Sequence, residues 1–314
     1  EKVMINIGED ESDPVFCISD LLIHLAQEQM AKNAKDVVEG EALNLIVGGK
    51  PLAGEEKDAV KANVLKLLAD KYGVEEEDFL SAELEIVPAG KARDMGFDRS
   101  MILGYGHDDR VCAYPSMMAV LDYEGTPDYT LCCIITDKEE IGSVGATGMA
   151  SHYLENTVAE LYACTADYCE LAVRRCLRNS RMLSSDVSAG YDPNFASAFE
   201  KKNSAFLGRG ICFNKFTGSR GKSGSNDANP EFMASLRKIM DDAGVAFQTA
   251  ELGRVDLGGG GTIAYLCAKY GMNVIDSGIA VLSMHAPYEI ISKVDLYEGY
   301  RCYCAFLEGA KPVD

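Results

Sequence analysis

From about residue 98 onward the chain alternates apolar, strand-like segments with stretches of helical periodicity, and this alternation limits the folds open to it. Residues 111–121 read as a helix, 129–136 as a strand and 151–178 as a helix. Residues 230–243 and 262–270 follow as helices, and 278–282 as a buried strand. That order predicts an α/β fold, with helices covering a mostly parallel sheet. The first third has a different texture and predicts a smaller α+β domain. It opens on an alternating strand over residues 1–8, then an amphipathic helix capped by Ser19 and carrying Leu21, Leu22, Leu25 and Met30. A second helix is expected over 59–71, stopped at Gly73, and an alternating strand over 82–87. The domains are expected to be 1–95 and 96–314. A doubly covered sheet usually begins with its own strands, whereas here the smaller domain opens mid-strand, so the sequence reads as a fragment.

Charge narrows the partners. With 49 acidic against 30 basic residues, the net charge of −19 argues against nucleic acid or an anionic membrane, both of which need clustered Lys and Arg. No apolar run approaches the roughly 20 residues that span a bilayer. The N-terminus has neither the basic region nor the apolar core of a signal peptide. Eleven cysteines without a CxxC pair read as reduced thiols, which points to the cytoplasm. Acidic runs such as Glu75-Glu76-Glu77-Asp78 lack the alternation and turn glycine of a calcium loop, and read as solvated surface.

The chemistry-bearing residues sit at or just past the ends of apolar segments. Asp108 follows Gly104-Tyr105-Gly106-His107, and Glu139-Glu140 follows the run ending at Thr136. Asp186 lies in Leu183-Ser184-Ser185-Asp186, and His285 comes just after Val281-Leu282. In open α/β sheets ligands gather beyond the carboxyl ends of strands. Carboxylates gathered there repel one another unless cations compensate, and two zinc ions sharing one carboxylate and a water would do so. The pair Glu139-Glu140 could divide the work, one residue on metal and its neighbour acting as base. Singly, each residue also fits a bland role: solvated acids at 139–140, a turn residue at Asp186, a core histidine at His285. Spacing alone reaches no further than a two-metal hydrolase.

A longer set of stretches is more specific: IGEDESDPVF, SAELEIVPAGKARDMGFDRS, YGHDDRVCAY, DKEEIGSVGATGM, SSDVSAGYDPNF, GKSGSNDANPEF, ELGRVDLGGGGTIA and LSMHAPYEIISKVDLY. In this order, and over essentially the whole chain, the sequence resembles the aspartyl aminopeptidase and vacuolar aminopeptidase I family of zinc metallopeptidases, and most closely its bacterial branch. The resemblance implies an aminopeptidase that removes N-terminal residues from peptides, with two Zn2+ per active site. It implies Asp108 as the bridging carboxylate, Glu139 as general base, Glu140 as a ligand to one zinc, Asp186 as a ligand to the other, and His285 as the terminal imidazole ligand. Lys215 would lie near the substrate pocket, and Gly258, Gly259 and Gly260 would border it. His24 would reach a neighbouring subunit's active site. Residues 1–95 would be the latter part of an inserted domain that makes dimers, which in turn build a dodecamer.

Two departures accompany the resemblance. The family's first metal ligand is the histidine of a His-x-Asp motif upstream of the inserted domain, and none stands there in this sequence, whose one match to the pattern is His107-Asp108-Asp109. Ala189 stands three residues after Asp186, where the aspartyl-specific enzymes carry a histidine, which leaves acidic and neutral N-terminal residues equally open. Two other readings remain at this point. One is a truncated, non-catalytic paralogue that keeps its oligomer surfaces. The other is a related two-metal carboxypeptidase or deacylase, which would need a basic clamp for a substrate carboxylate.

Overall fold

Residues 2–220 and 222–311 are described by the computed structural model. Glu1 of the expected first strand, Gly221 of the GKSGSNDANPEF stretch and residues 312–314 lie outside that description. The chain separates into two units, Glu1–Lys91 and Ala92–Asp314.

The first unit holds little regular structure. Its sheet is a two-residue antiparallel ladder of β1 (Cys17–Ile18) and β2 (Leu45–Ile46). The helix expected from Ser19 is replaced by a short turn over Ile23–Leu25 and by α1 (Gln27–Met30), with Ala26 rather than Ser19 at its N-cap. The apolar residues Leu21, Leu22, Ile23 and Leu25 are exposed, so no buried stripe is available to hold a longer helix. The helix expected over 59–71 is present as α2 (Ala59–Tyr72), closed by Gly73. The strands expected over 1–8 and 82–87 do not form among the described residues. Both stretches alternate in sequence, yet no neighbouring strand pairs with them and neither face is buried. Alternation states which face would be covered but supplies nothing to cover it.

The second unit is α/β, with helices on mixed sheets. β3 (Arg93–Met95) and β4 (Met101–Gly104) lead into α3 (His107–Leu121), whose residues Asp108 and Asp109 depart from helical dihedrals. The expected strand over 129–136 is irregular chain without ladder partners. The expected helix over 151–178 is two helices, α4 (Tyr153–Thr165) and α5 (Glu170–Asn179). β5 (Arg181–Ser184), β6 (Ser188–Ala189) and β7 (Ile211–Asn214) follow, then α6 (Pro230–Ala243), β8 (Phe247–Thr249) and the short α7 (Ala264–Ala268). The chain ends in β9 (Asn273–Gly278), β10 (Ala280–Leu282), β11 (Glu289–Ser292) and α8 (Lys293–Gly309).

One sheet runs β3-β4-β11-β10-β6 and the other β5-β9-β7-β8. The sheets are mixed rather than mostly parallel, because β11 runs antiparallel to both of its neighbours and β7 runs antiparallel to β9. Since β4 and β10 both oppose β11, they run parallel to each other and their carboxyl ends share one edge. α3 and α6 pack against α8. The largest core joins Ile211, Phe213, Phe232, Leu236, Met240, Ile275 and Tyr303. A second core beside the site joins Val111, Cys112, Val187, Ile279, Val281 and Ile291.

Gly278 ends β9 where the backbone of Asp186 passes. A Cβ built there would fall 1.9 Å from the Asp186 carbonyl oxygen. Gly278→Ala is therefore expected to lower unfolding stability by about 1–3 kcal/mol through overpacking. An unchanged urea midpoint would contradict this.

Candidate metal centre

Four turns carry the candidate donors. Asp108 sits just past the end of β4, where Gly106 adopts a left-handed conformation and lets the chain turn into α3. Asp186 lies between β5 and β6. Glu139 and Glu140 occupy a single helical turn, Glu139–Ile141, between left-handed Lys138 and Gly142. His285 follows β10 in a tight turn and itself has φ +64°, as does Ser283 at +57°. Left-handed φ is uncommon for residues with a Cβ, so this turn needs support from its surroundings.

The side chains converge. His285 Nε2 lies 2.9 Å from Asp108 Oδ2 and 3.4 Å from Glu140 Oε1. One donor atom each from Asp108, Glu140 and His285 lies within 4.8 Å of the others, and the same holds for Asp108, Asp109 and Asp186. Asp108 belongs to both groups, which gives it the position of a shared ligand. Oxygen donors with one imidazole suit a divalent cation of the zinc type.

The electrostatics carry the same sign throughout. Burial raises the Asp108 carboxyl to about 7; Glu140 adds to the shift and His285 opposes it. Burial also pushes Asp186 well above the usual carboxylate range, helped by Asp109, Asp108 and Glu139. Asp109 is raised for the same first reason, and its buried Oδ1 has no hydrogen-bond partner. Glu139 is raised by burial and by Glu140. A cluster of acids held part-way to neutrality and offering a bare oxygen fits the donor set of a metal centre.

The donors open onto a cavity of about 670 Å3. Its walls include Glu139, Asn214, Glu251 and Asp276, together with Gly259, Gly260 and Gly261. Gly258 is not among the lining residues; its N–H donates to the Arg254 carbonyl and its own carbonyl accepts the Arg220 N–H. The glycine run is closely packed: a Cβ on Gly259, at φ +91°, would lie 2.2 Å from the Gly218 carbonyl oxygen. Lys215 is not among the lining residues, and its Nζ pairs with Asp227. His24 lies in the first unit, exposed, in the turn Ile23–Leu25. His107, buried at the start of α3, belongs to neither donor group.

Three residues here were not singled out from the sequence. Asp109 was visible only as the neighbour of Asp108. Asp276 in β9 is buried on the cavity wall, and burial raises it to about 6 against the pull of the Thr262, Ser184 and Thr217 hydroxyls. Glu289 opens β11, where an acid at the head of Ile290-Ile291 was the available signal; it is 2% exposed and accepts the backbone N–H groups of Asp108 and His285.

Comparison with known proteins gives the family. The family model for aminopeptidase I zinc metalloprotease (M18) matches residues 1–307. A probable M18 family aminopeptidase 1 of Clostridium acetobutylicum is 60% identical over 306 residues, covering 97% of this chain and 66% of that protein. The chain thus spans just under two thirds of that relative's length. A crystal structure of an M18 family aminopeptidase from Thermotoga maritima superposes with a TM-score of 0.91 at 44% identity, over 98% of this chain and 67% of that one. The mApe1 dodecamer of S. cerevisiae shares the fold at 22% identity, with a TM-score of 0.64 over 85% of this chain and 60% of that one. With a match running from the first residue to the last helix, the chain belongs to the M18 family of aminopeptidase I zinc metalloproteases.

Proposed function

We propose that the protein is a two-zinc aminopeptidase that removes the N-terminal residue of peptides. The observation that carries this reading is the sharing of Asp108 between two donor groups at the floor of an acidic cavity. Six carboxylates line that cavity, from Asp108, Glu139, Glu140, Asp186, Glu251 and Asp276, and no Lys or Arg does so among the described residues. A carboxypeptidase would need a guanidinium or ammonium there to hold the substrate's terminal carboxylate. A free N-terminal ammonium instead suits an acidic wall, which favours an aminopeptidase over the carboxypeptidase and deacylase readings. The same sign argues for neutral rather than acidic N-terminal residues, since Lys215 is occupied by Asp227.

In this reading Asp108 would be shared by the two metals, Glu140 and His285 would hold one, and Asp186 would hold the other. Bound zinc would supply positive charge that acidifies water and polarises the scissile carbonyl. Glu139 stands on the cavity wall outside both donor groups. Its carboxylate takes the proton from the attacking water and returns it to the leaving amine. Partial burial raises its pKa toward the range in which a carboxyl can do both. The glycine edge at 259–261 lets substrate backbone approach without a Cβ in the way.

The first unit supports a further part of the reading. Its exposed apolar residues, among them Val15, Leu21, Leu22, Ile23 and Leu25, form the kind of surface that assembly covers. Residues 1–95 as part of an inserted dimerisation domain, His24 reaching a neighbouring site, and dimers building a dodecamer are consistent with that surface. No helix is long and apolar enough to cross a membrane among the described residues. The eleven cysteines form no disulfide, in keeping with a reducing cytoplasm.

Two measurements test this reading. Glu139→Gln is expected to lower turnover of aminoacyl substrates by about 10²–10⁴-fold while zinc content stays unchanged. Near-normal turnover in that variant would remove Glu139 from its role. The second uses pH. A carboxyl raised in the folded state stabilises the metal-free fold fully below its unfolded value and loses that contribution as pH rises through its folded value. For Asp108 the window runs from about 4 to about 7. Chelator-treated protein should therefore lose melting temperature across that window more steeply than zinc-loaded protein. Equal slopes would contradict a metal at Asp108.

A further inference from the structure

We infer that Glu289 is the positioning residue that sets the spacing of Asp108 and His285 for metal binding. The inference rests on the reading of those two residues as ligands. Glu289 Oε2 accepts the Asp108 backbone N–H at 3.0 Å, and Oε1 accepts the His285 backbone N–H at 2.9 Å. One planar group thus ties together two ligand-bearing segments that stand far apart in the chain. Its own oxygens are engaged by amides, it is 2% exposed, and it does not line the cavity. It therefore acts through its neighbours and not on a metal directly.

Sheet register explains why this position can do so. In the order β4-β11-β10, the central strand runs against both neighbours. Glu289 is its first residue and pairs with Gly104, the last residue of β4. It therefore sits between the exits of the two strands that lead to Asp108 and to His285. An acceptor at this point meets both amides as they turn away from the sheet. His285 also holds φ +64°, a conformation that a histidine adopts at a cost unless its surroundings fix it. The hydrogen bond that the His285 N–H donates to Glu289 supplies that restraint. Fixing the main chain of Asp108 and His285 orients their side chains toward a cation, the usual effect of outer partners on metal ligands.

A glutamine at this position has one acceptor oxygen where the glutamate has two, so one of the two amides loses its partner. Glu289→Gln is expected to bind zinc about 10–100-fold more weakly in competition with a chromophoric chelator. It should also alter the visible absorption of the cobalt(II)-substituted protein, which a purely structural role would leave in place. Zinc affinity within about twofold of the original, with an unchanged cobalt spectrum, would overturn the inference. Asp108→Asn is the companion variant: if it too binds zinc normally, the metal reading fails and this inference falls with it. If it loses zinc while Glu289→Gln does not, the inference about Glu289 alone fails. Should Glu289→Gln not fold, hydrogen exchange on the unaltered metal-free protein decides. The Asp108 and His285 amides should be protected, and exchange at the rate of unstructured chain would overturn the claim.

Discussion

Carboxylate oxygens from Asp108, Asp109 and Asp186 come within 4.8 Å of one another in a region largely shielded from water, and this crowding governs the second unit. Two unit charges at that distance repel by about 3 kcal/mol at an effective dielectric constant near 20, before any desolvation is counted. The molecule can relieve the repulsion with protons or with cations. Burial raises all three carboxyls, which favours the first solution when no cation is present. The donor geometry around Asp108 describes the second. Metal binding at such a site would release the protons that its buried carboxyls hold.

The backbone is arranged to hold that crowding in place. β4 and β10 deliver their exits to one edge because β11 lies antiparallel between them. Gly278 lets the main chain of Asp186 pass close to β9, and left-handed residues at 106, 138, 283 and 285 turn the donors inward. The cavity wall is completed by glycines that pack backbone on backbone. Acidic lining without a basic counterpart gives the pocket its direction: it welcomes an ammonium group and disfavours a carboxylate. The proposed chemistry and the charge of the pocket thus follow from one arrangement of residues.

Helices were more legible than strands. α2, α3 and α6 lie close to their expected bounds, because periodicity and end signals such as Gly73 and Pro230 are local. The stretches 1–8, 82–87 and 129–136 looked like strands and are not, because neither alternation nor an apolar run says whether a partner strand exists. The five proposed catalytic and metal residues stood out by their places after apolar segments and by family resemblance, and four of them also meet in space as donors. The turn holding Glu139 and Glu140 follows irregular chain instead of the expected strand, yet both residues still face the cavity. Asp109, Asp276 and Glu289 escaped notice because their roles depend on register: a buried acid in a strand is ordinary until the neighbours it faces are known. Lys215 was placed by resemblance alone, and Asp227 engages it away from the cavity wall.

The central claim is that Asp108 is shared by two metal positions. Anomalous scattering from crystals of the zinc-loaded protein, collected on either side of the zinc absorption edge, tests it most directly. The account predicts two peaks in the cavity, one contacting Asp108, Glu140 and His285 and the other contacting Asp108 and Asp186. Zinc found only on the protein surface, with no peak beside Asp108, would contradict it.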